Sequence, residues 1–319
     1  MKWIQRVRGS RKVRLLLNIV YAVVAVGLAI VTAHHFAETG WPLAHADLNL
    51  VAASGVLFLL AYAFKAIGWH RLFAPHERPH AIALAAAGGA ACVTGAALPG
   101  RFDDAVRVAV VRKYPGCGDA RVGTLCLSLF MLGLVDTVAL MPLAASAAVT
   151  SDGAALQWAL GVVAFAGFGA AVLMTSLPRL TASGRLVRYR FVRWVSQRLT
   201  APRDAWAATA LVLASWLVRG LALLALLGAL GIGVSFPIAL AFLCGAAASG
   251  ALPIAPAGAA TQAGAGAAIL IASGVATTQA IAFAVAAQAL LIIAGAAVLV
   301  FAGLWTGGSR LAVRRATTA

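Results

Sequence analysis

One short stretch of this chain concentrates groups suited to holding a phosphate. It reads Leu98-Pro99-Gly100-Arg101-Phe102-Asp103-Asp104-Ala105-Val106-Arg107. Arginine fits phosphate because its planar fork donates to two oxygens at once. Asp103 and Asp104 fall in the first turn after the Pro-Gly break. Free N–H groups and the helix dipole favour a carboxylate there, and capping alone accounts for both. The functional reading has Arg101 and Arg107 binding an anionic headgroup, with the acids orienting them. Arg107 lies one turn beyond the two acids, so Asp–Arg pairing on one helix face is geometrically open.

Two further charges interrupt apolar runs: Asp136 in LGLVDTVAL and Arg219 in SWLVRGLAL. A charge inside a membrane span is expensive and faces a partner or a cavity. These two could pair with each other as a structural ion pair. Alternatively, Asp136 serves Arg101 or Arg107 while Arg219 meets substrate. A second break, Leu252-Pro253-Ile254-Ala255-Pro256-Ala257-Gly258, carries no charge. Bare backbone and small polar groups are what it offers, with Gln262 the best candidate for a polar substrate contact. Tight helix packing also explains its glycines.

Other chemistries find little support. There is no nucleophile–base pattern, no phosphate-binding glycine loop and no HExxH. Cys92, Cys117, Cys126 and Cys244 lack paired spacing, so neither disulfide nor metal is expected. His34, His35 and His45 read as interface residues. No cofactor is expected.

The elements that must position these residues are membrane spans. Apolar residues make up 62% of the 319-residue chain and charged ones 11%, against about 45–50% and about 25% in soluble domains. The formal charge is +16, from 25 Lys/Arg and nine Asp/Glu. No nucleic-acid-binding motif accompanies it, and basic cytoplasmic loops explain it better. Six of the basic residues lie in 2–14, and Lys65, Arg71 and Arg78 follow the second apolar run. Arg101 to Arg121 follow the third, seven lie between Arg179 and Arg203, and Arg310, Arg314 and Arg315 end the chain. Segments 35–47, 147–156, 229–236 and 272–278 carry none. That one-sided partition puts both termini in the cytoplasm.

Threading the chain predicts six full spans, at about 14–34, 48–69, 120–147, 155–177, 205–229 and 277–305. Segments 81–113 and 236–273 each begin and end on one side. Each is broken by proline and glycine, at Pro99 and Gly100 and at Pro253, Pro256 and Gly258. Both read as re-entrant hairpins of two half-helices, against the alternative of ordinary loops between short spans. The stretch 184–199, GRLVRYRFVRWVSQRL, reads as an amphipathic helix on the cytoplasmic face. The expected fold is therefore an all-α polytopic bundle in one transmembrane domain over 1–319. Inverted halves span about 48–147 and 205–305. Paired breaks in inverted halves point to a midplane substrate site.

At LPGRFDDAVRVAVVRK the chain resembles the lysylphosphatidylglycerol synthase transmembrane-region family of flippase-like proteins. The family pattern is Pro-Gly-Arg, a small residue, an acid, and an Arg three positions later. Pro99, Gly100, Arg101, Asp104 and Arg107 match, while Asp103 stands where glycine is usual. Asp136 matches an acid in the following helix. LPIAPAGAATQAGAG resembles a Pro-x-x-Pro-Gly-Gly-x-Gly-x-x-Glu segment through Pro253, Pro256 and Gly258. Ala257 and Ala260 replace glycines there, and Gln262 or Ala263 stands near the place of the missing glutamate. The resemblance implies an inner-membrane protein that moves a lipid between leaflets. No polar segment exceeds about 30 residues, so no soluble catalytic domain is expected in this chain.

The resulting expectation is a flippase for an anionic or phosphate-bearing lipid, either an aminoacyl-phospholipid or a polyprenyl-phosphate-linked lipid. Its substrate-binding residues would be Arg101, Asp104, Arg107, Asp136, Arg219 and Gln262. Two alternatives remain beside it. One is a membrane-embedded transferase with a polyprenyl-linked donor, in which Asp103 and Asp104 hold a divalent metal. The other is a scaffold for a lipid-modifying enzyme or glycosyltransferase.

Overall fold

The computed structural model describes residues 46–96, 102–117, 120–151, 153–182, 202–250 and 258–318. Nine α-helices and a 3-10 turn at Pro75–Glu77 account for the regular structure among them. In chain order the helices are α1 (Leu48–Arg71), α2 (Ala81–Gly95), α3 (Phe102–Lys113), α4 (Val122–Thr150), α5 (Ala154–Ala182), α6 (Pro202–Ala229), α7 (Phe236–Gly250), α8 (Gly258–Ala272) and α9 (Thr277–Thr318). The segments expected at 14–34 and 184–199 lie outside the described residues, as do Pro99, Gly100, Arg101, Pro253 and Pro256.

Five helices are long and apolar enough to cross a membrane: α1, α4, α5, α6 and α9. The chain is a polytopic helical membrane bundle, as its composition requires. The other four helices are short. α2 and α3 have 15 and 12 residues, and α7 and α8 have 15 each. At 1.5 Å per residue none exceeds about 23 Å, less than a hydrocarbon core of about 30 Å. Each pair flanks one of the breaks found in the sequence.

Local chemistry sets the helix ends. Asp47 caps α1, accepting from the Asn49 N–H at 2.8 Å, and His70 and Arg71 suit the negative C-terminal end of the same helix. α6 closes at Gly231, whose φ of 67° is left-handed. There the N–H of Ile232 reaches back to the carbonyl of Leu227 at 3.0 Å. Arg78, in the α1–α2 turn, donates to the Phe73 carbonyl at 3.0 Å and to Asp204 of α6 at 3.4 Å.

The central seam is α1 against α6. The Asp47 N–H donates to the Ala229 carbonyl at 3.1 Å, the Ser54 hydroxyl to the Ala222 carbonyl at 2.8 Å, and the Ser215 hydroxyl to the Ala61 carbonyl at 2.7 Å. A Cβ added at Gly68 would lie 3.3 Å from the Ala208 carbonyl. Contacts that descend one helix while climbing the other make the pair antiparallel. They recur every seven residues, and small side chains let the backbones approach. Van der Waals packing and buried hydrogen bonds hold such a seam in lipid, where the hydrophobic effect cannot.

Contacts in the first half recur in the second. α1 packs on α2 and α9, and α6 packs on α7 and α4. α2 meets α3 and α9, while α7 meets α8 and α4. Short sequence repeats underlie this. Leu50-Val51-x-Ala53-Ser54 returns as Leu211-Val212-x-Ala214-Ser215, and Ile82-Ala83-Leu84-Ala85 as Ile238-Ala239-Leu240-Ala241. The buried positions Leu125, Ser128, Leu132, Val135 and Ala139 of α4 correspond, at constant separation, to Ala280, Phe283, Ala287, Leu290 and Ala294 of α9, all buried. α5 has no counterpart among the described residues and packs mainly on α4.

One crossing admits no side chain at all. A Cβ on Gly89 of α2 would fall 2.4 Å from the carbonyl oxygen of Gly295 in α9. Gly89→Ala is therefore expected to destabilise the protein by about 1–3 kcal/mol through overpacking. Gly55→Ala, where nothing lies within 4 Å, is expected to be neutral or slightly stabilising. Thermal unfolding of both variants in detergent checks the contrast.

Candidate functional site

Four helices bring charged side chains together inside the bundle. α1 supplies Tyr62 and Lys65, α4 supplies Asp136, α6 supplies Trp216 and Arg219, and α3 supplies Asp103, Asp104 and Arg107. Lys65, Asp136 and Arg219 each lie more than a turn from either end of a membrane-length helix.

Lys65 Nζ sits 2.9 Å from Asp136 Oδ2, each side chain 22% exposed. The Trp216 indole N–H donates to the other oxygen, Oδ1, at 3.0 Å. Both carboxylate oxygens are thus engaged, which is how a partly buried carboxylate becomes tolerable. Lys65 Nζ also lies 5.2 Å from the centre of the Trp216 ring. Trp216 precedes Arg219 by three residues, so both occupy one face of α6. The Arg219 guanidinium lies 5.0 Å from the Trp216 ring centre and 5.5 Å from that of Tyr62. Aromatic faces attract a cation without neutralising it. Among the described residues no carboxylate pairs with Arg219, and its buried Nε has no hydrogen-bond partner.

Arg107 is held differently. Its Nη1 is 2.7 Å from Asp104 Oδ1 and its Nη2 is 3.3 Å from Asp103 Oδ2. One cation therefore faces two carboxylates on its own helix. α3 packs on α2 and also meets α4, the helix that carries Asp136. The Tyr62 hydroxyl donates to the Leu291 carbonyl of α9 at 3.4 Å, and the Cys92 thiol approaches the same oxygen at 3.7 Å.

The expected pairing of Asp136 is corrected here. Its partner is neither Arg219 nor Arg107 but Lys65, which the charge partition counted among flanking cytoplasmic residues. Arg107 is occupied by its own two acids, and Arg219 is turned toward aromatic rings. The four-carbon stem of Lys65 carries its ammonium from α1 to α4. Lys65, Tyr62 and Trp216 are the members that sequence reasoning missed. A signal existed: Lys65 stands inside LLAYAFKAIGW, well before the helix ends. Gln262 is half-buried on α8, which packs on α7 and α9. Among the described residues no hydrogen bond or ion pair joins it to the cluster. Gly258 opens α8.

A separate recess of about 310 Å³ lies where the α1–α2 turn meets the start of α4, lined in part by His76, Arg78, Arg121 and Thr124. The Thr124 hydroxyl donates to Glu77 there at 3.1 Å.

Removing one partner of an intramembrane pair leaves the other charge uncompensated. Lys65→Met is expected to cost on the order of 3 kcal/mol. The double variant Lys65→Met/Asp136→Leu is expected to recover more than half of that loss. A double-mutant cycle of melting temperatures in detergent measures the coupling.

No curated protein and no solved structure matches the chain. A family model does, over residues 15–311, and its description is lysylphosphatidylglycerol synthase TM region. That match covers nearly the whole chain and includes every charged residue of the intramembrane cluster. The chain belongs to the lysylphosphatidylglycerol synthase transmembrane-region family.

Proposed function

We infer that this protein transfers an anionic or phosphate-bearing lipid between leaflets, with the headgroup bound at the intramembrane cluster and the tails left in lipid. One observation carries the reading. Arg219 lies within the membrane-spanning part of the bundle, its Nε is buried and unpartnered, and aromatic rings rather than a carboxylate flank it. A cation so placed is costly unless an anion visits it. Phosphate suits that role, because guanidinium donates to two of its oxygens.

Arg101 and Arg107 would receive the phosphate at the first break, with Asp104 orienting them and Asp136 fixing the interior cations. Gln262 would meet the headgroup from the second break. The short helices α2–α3 and α7–α8 would be re-entrant hairpins, and the halves 48–147 and 205–305 an inverted repeat that rocks about the α1–α6 seam. The antiparallel seam and the recurring contacts support this arrangement. The recess lined by Arg78, Arg121 and His76 would gather anionic headgroups on the cytoplasmic side. The setting would be the inner membrane, with both termini cytoplasmic and a lipid-modifying enzyme or glycosyltransferase as partner. The substrate would be an aminoacyl-phospholipid or a polyprenyl-phosphate-linked lipid.

Arg219→Ala is expected to reduce transfer at least tenfold with the melting temperature unchanged within a few degrees, and Arg219→Lys to reduce it less. The measurement uses purified protein in phosphatidylcholine vesicles carrying fluorescent phosphatidylglycerol or a labelled polyprenyl phosphate. The rate at which label becomes accessible to an external quencher is followed. Equal rates for wild type and Arg219→Ala would remove Arg219 from the mechanism. A new covalent lipid product would move the assignment to a transferase, and no transfer of any lipid by folded protein would favour a scaffold.

A further inference from the structure

The Lys65–Asp136 pair has a feature that a purely structural bridge does not need. α1 and α4 are not closely packed along their backbones. Among the described residues an ion pair and a hydrogen bond span the space between them: Lys65 to Asp136 at 2.9 Å and the Trp69 indole N–H to Ser128 at 3.1 Å. Lys65 is long and flexible, and its ammonium lies against the same indole ring as Arg219. The cluster of Lys65, Asp136 and Arg219 carries two cations and one anion.

An anionic headgroup arriving at Arg219 therefore meets a second cation that is committed to Asp136. If Lys65 turns to the phosphate, Asp136 keeps only the Trp216 N–H. A carboxylate without a counter-charge at this depth is expensive, and neutralisation by a proton relieves it. Among the described residues, the charged and titratable groups on the helices around Asp136 are few. α1 offers Lys65 and Tyr62, α6 offers Arg219, and α3 offers Asp103, Asp104 and Arg107, with the last committed to the first two. Residues 154–176 of α5 contain no ionisable side chain, and α7 contains only the buried thiol of Cys244. Among the described residues the one other cation of the cluster, Arg219, is the group the headgroup itself would occupy.

We propose that Asp136 is the proton site of a lipid–proton symporter, in which an anionic headgroup takes Lys65 from Asp136 and Asp136 takes up one proton in exchange. The step balances. At rest Lys65 and Arg219 are positive and Asp136 negative. In the loaded state both cations remain, the phosphate supplies the negative charge and Asp136 is neutral. The cluster keeps the same net charge, so one lipid anion and one proton cross together electroneutrally. On release Lys65 returns to Asp136 and displaces the proton to water. No other reactant is required. This rests on the lipid-transfer reading above.

The test uses the full-length protein in phosphatidylcholine vesicles with a trace of fluorescent phosphatidylglycerol, compared with protein-free vesicles. Without a gradient, wild type should equilibrate the label between leaflets. Failure at this stage overturns the lipid-transfer reading and the symport with it. A gradient of one pH unit should then concentrate the label in the leaflet facing the alkaline side, up to about tenfold at one proton per lipid. A pH dye inside lightly buffered vesicles should record proton entry when lipid enters. Asp136→Asn should transfer label, at whatever residual rate it retains, with no response to the gradient. If that variant is inactive, the dye measurement on wild type decides. Wild-type transfer that is equal with and without the gradient, with no proton movement, overturns the symport and leaves the lipid-transfer reading intact.

Discussion

A charged side chain inside a hydrocarbon slab is tolerated only where the fold supplies it with a partner, and that constraint organises the interior of this bundle. Asp136 is satisfied from two sides, by Lys65 of α1 and by the indole N–H of Trp216 in α6. Three helices must therefore hold their relative positions for one carboxylate to be stable. Arg107 is satisfied within its own helix, so α3 can approach the cluster without being bound to it by an ion pair. Arg219, among the described residues, has ring faces and no carboxylate beside it.

The α1–α6 seam makes this placement possible. Ser54, Ala61 and Gly68 against Ala222, Ser215 and Ala208 let the two backbones run close together. Tyr62 follows Ala61 directly, and Trp216 follows Ser215 directly. The small residues that make the seam therefore stand beside the aromatic residues that flank Arg219. A larger residue at a seam position would separate those rings as well as the helices. Packing and site are thus coupled through adjacent positions, and the hydroxyl-to-carbonyl bonds of Ser54 and Ser215 tie the seam at two depths.

Much of the fold was legible in the chain. Apolar run lengths located α1, α4, α5, α6 and α9 to within a few residues at most ends, because span length is set by bilayer thickness. Pro99 and Gly100 fall in sequence between the short helices α2 and α3, and Pro253 and Pro256 between α7 and α8, while Pro142 is carried within α4, so a proline alone does not decide where a helix ends. The pairing of charges was less legible. Lys65 was grouped with Arg71 and Arg78 because a charge count along a sequence ignores which helix face a residue occupies. Asp136 and Arg219 were linked because both interrupt apolar runs, yet which cation reaches a carboxylate depends on side-chain length and helix rotation. The internal repeats LVxAS and IALA were present in the residues all along. They are short enough to pass for ordinary apolar composition until the contacts align them.

Those repeats show how a two-part scaffold can hold a single site. Aligning Ser54 with Ser215 sets Lys65 against Leu226, Trp216 against Gly55 and Arg219 against Phe58. Aligning the buried faces of α4 and α9 sets Asp136 against Leu291. Every charged member of the pair-and-cation cluster on these helices therefore faces an apolar residue at the related position. The backbone carbonyl of Leu291, across from Asp136 in this alignment, accepts from Tyr62 and is approached by Cys92. Two charged clusters in one bundle would double the desolvation cost without adding a second route for a headgroup. One cluster on a frame of recurring contacts leaves helix packing similar on both sides while, among the described residues, the intramembrane charges stand together in one place. The repeated contacts thus account for the architecture, and the charges of the cluster are the part of it that is not repeated.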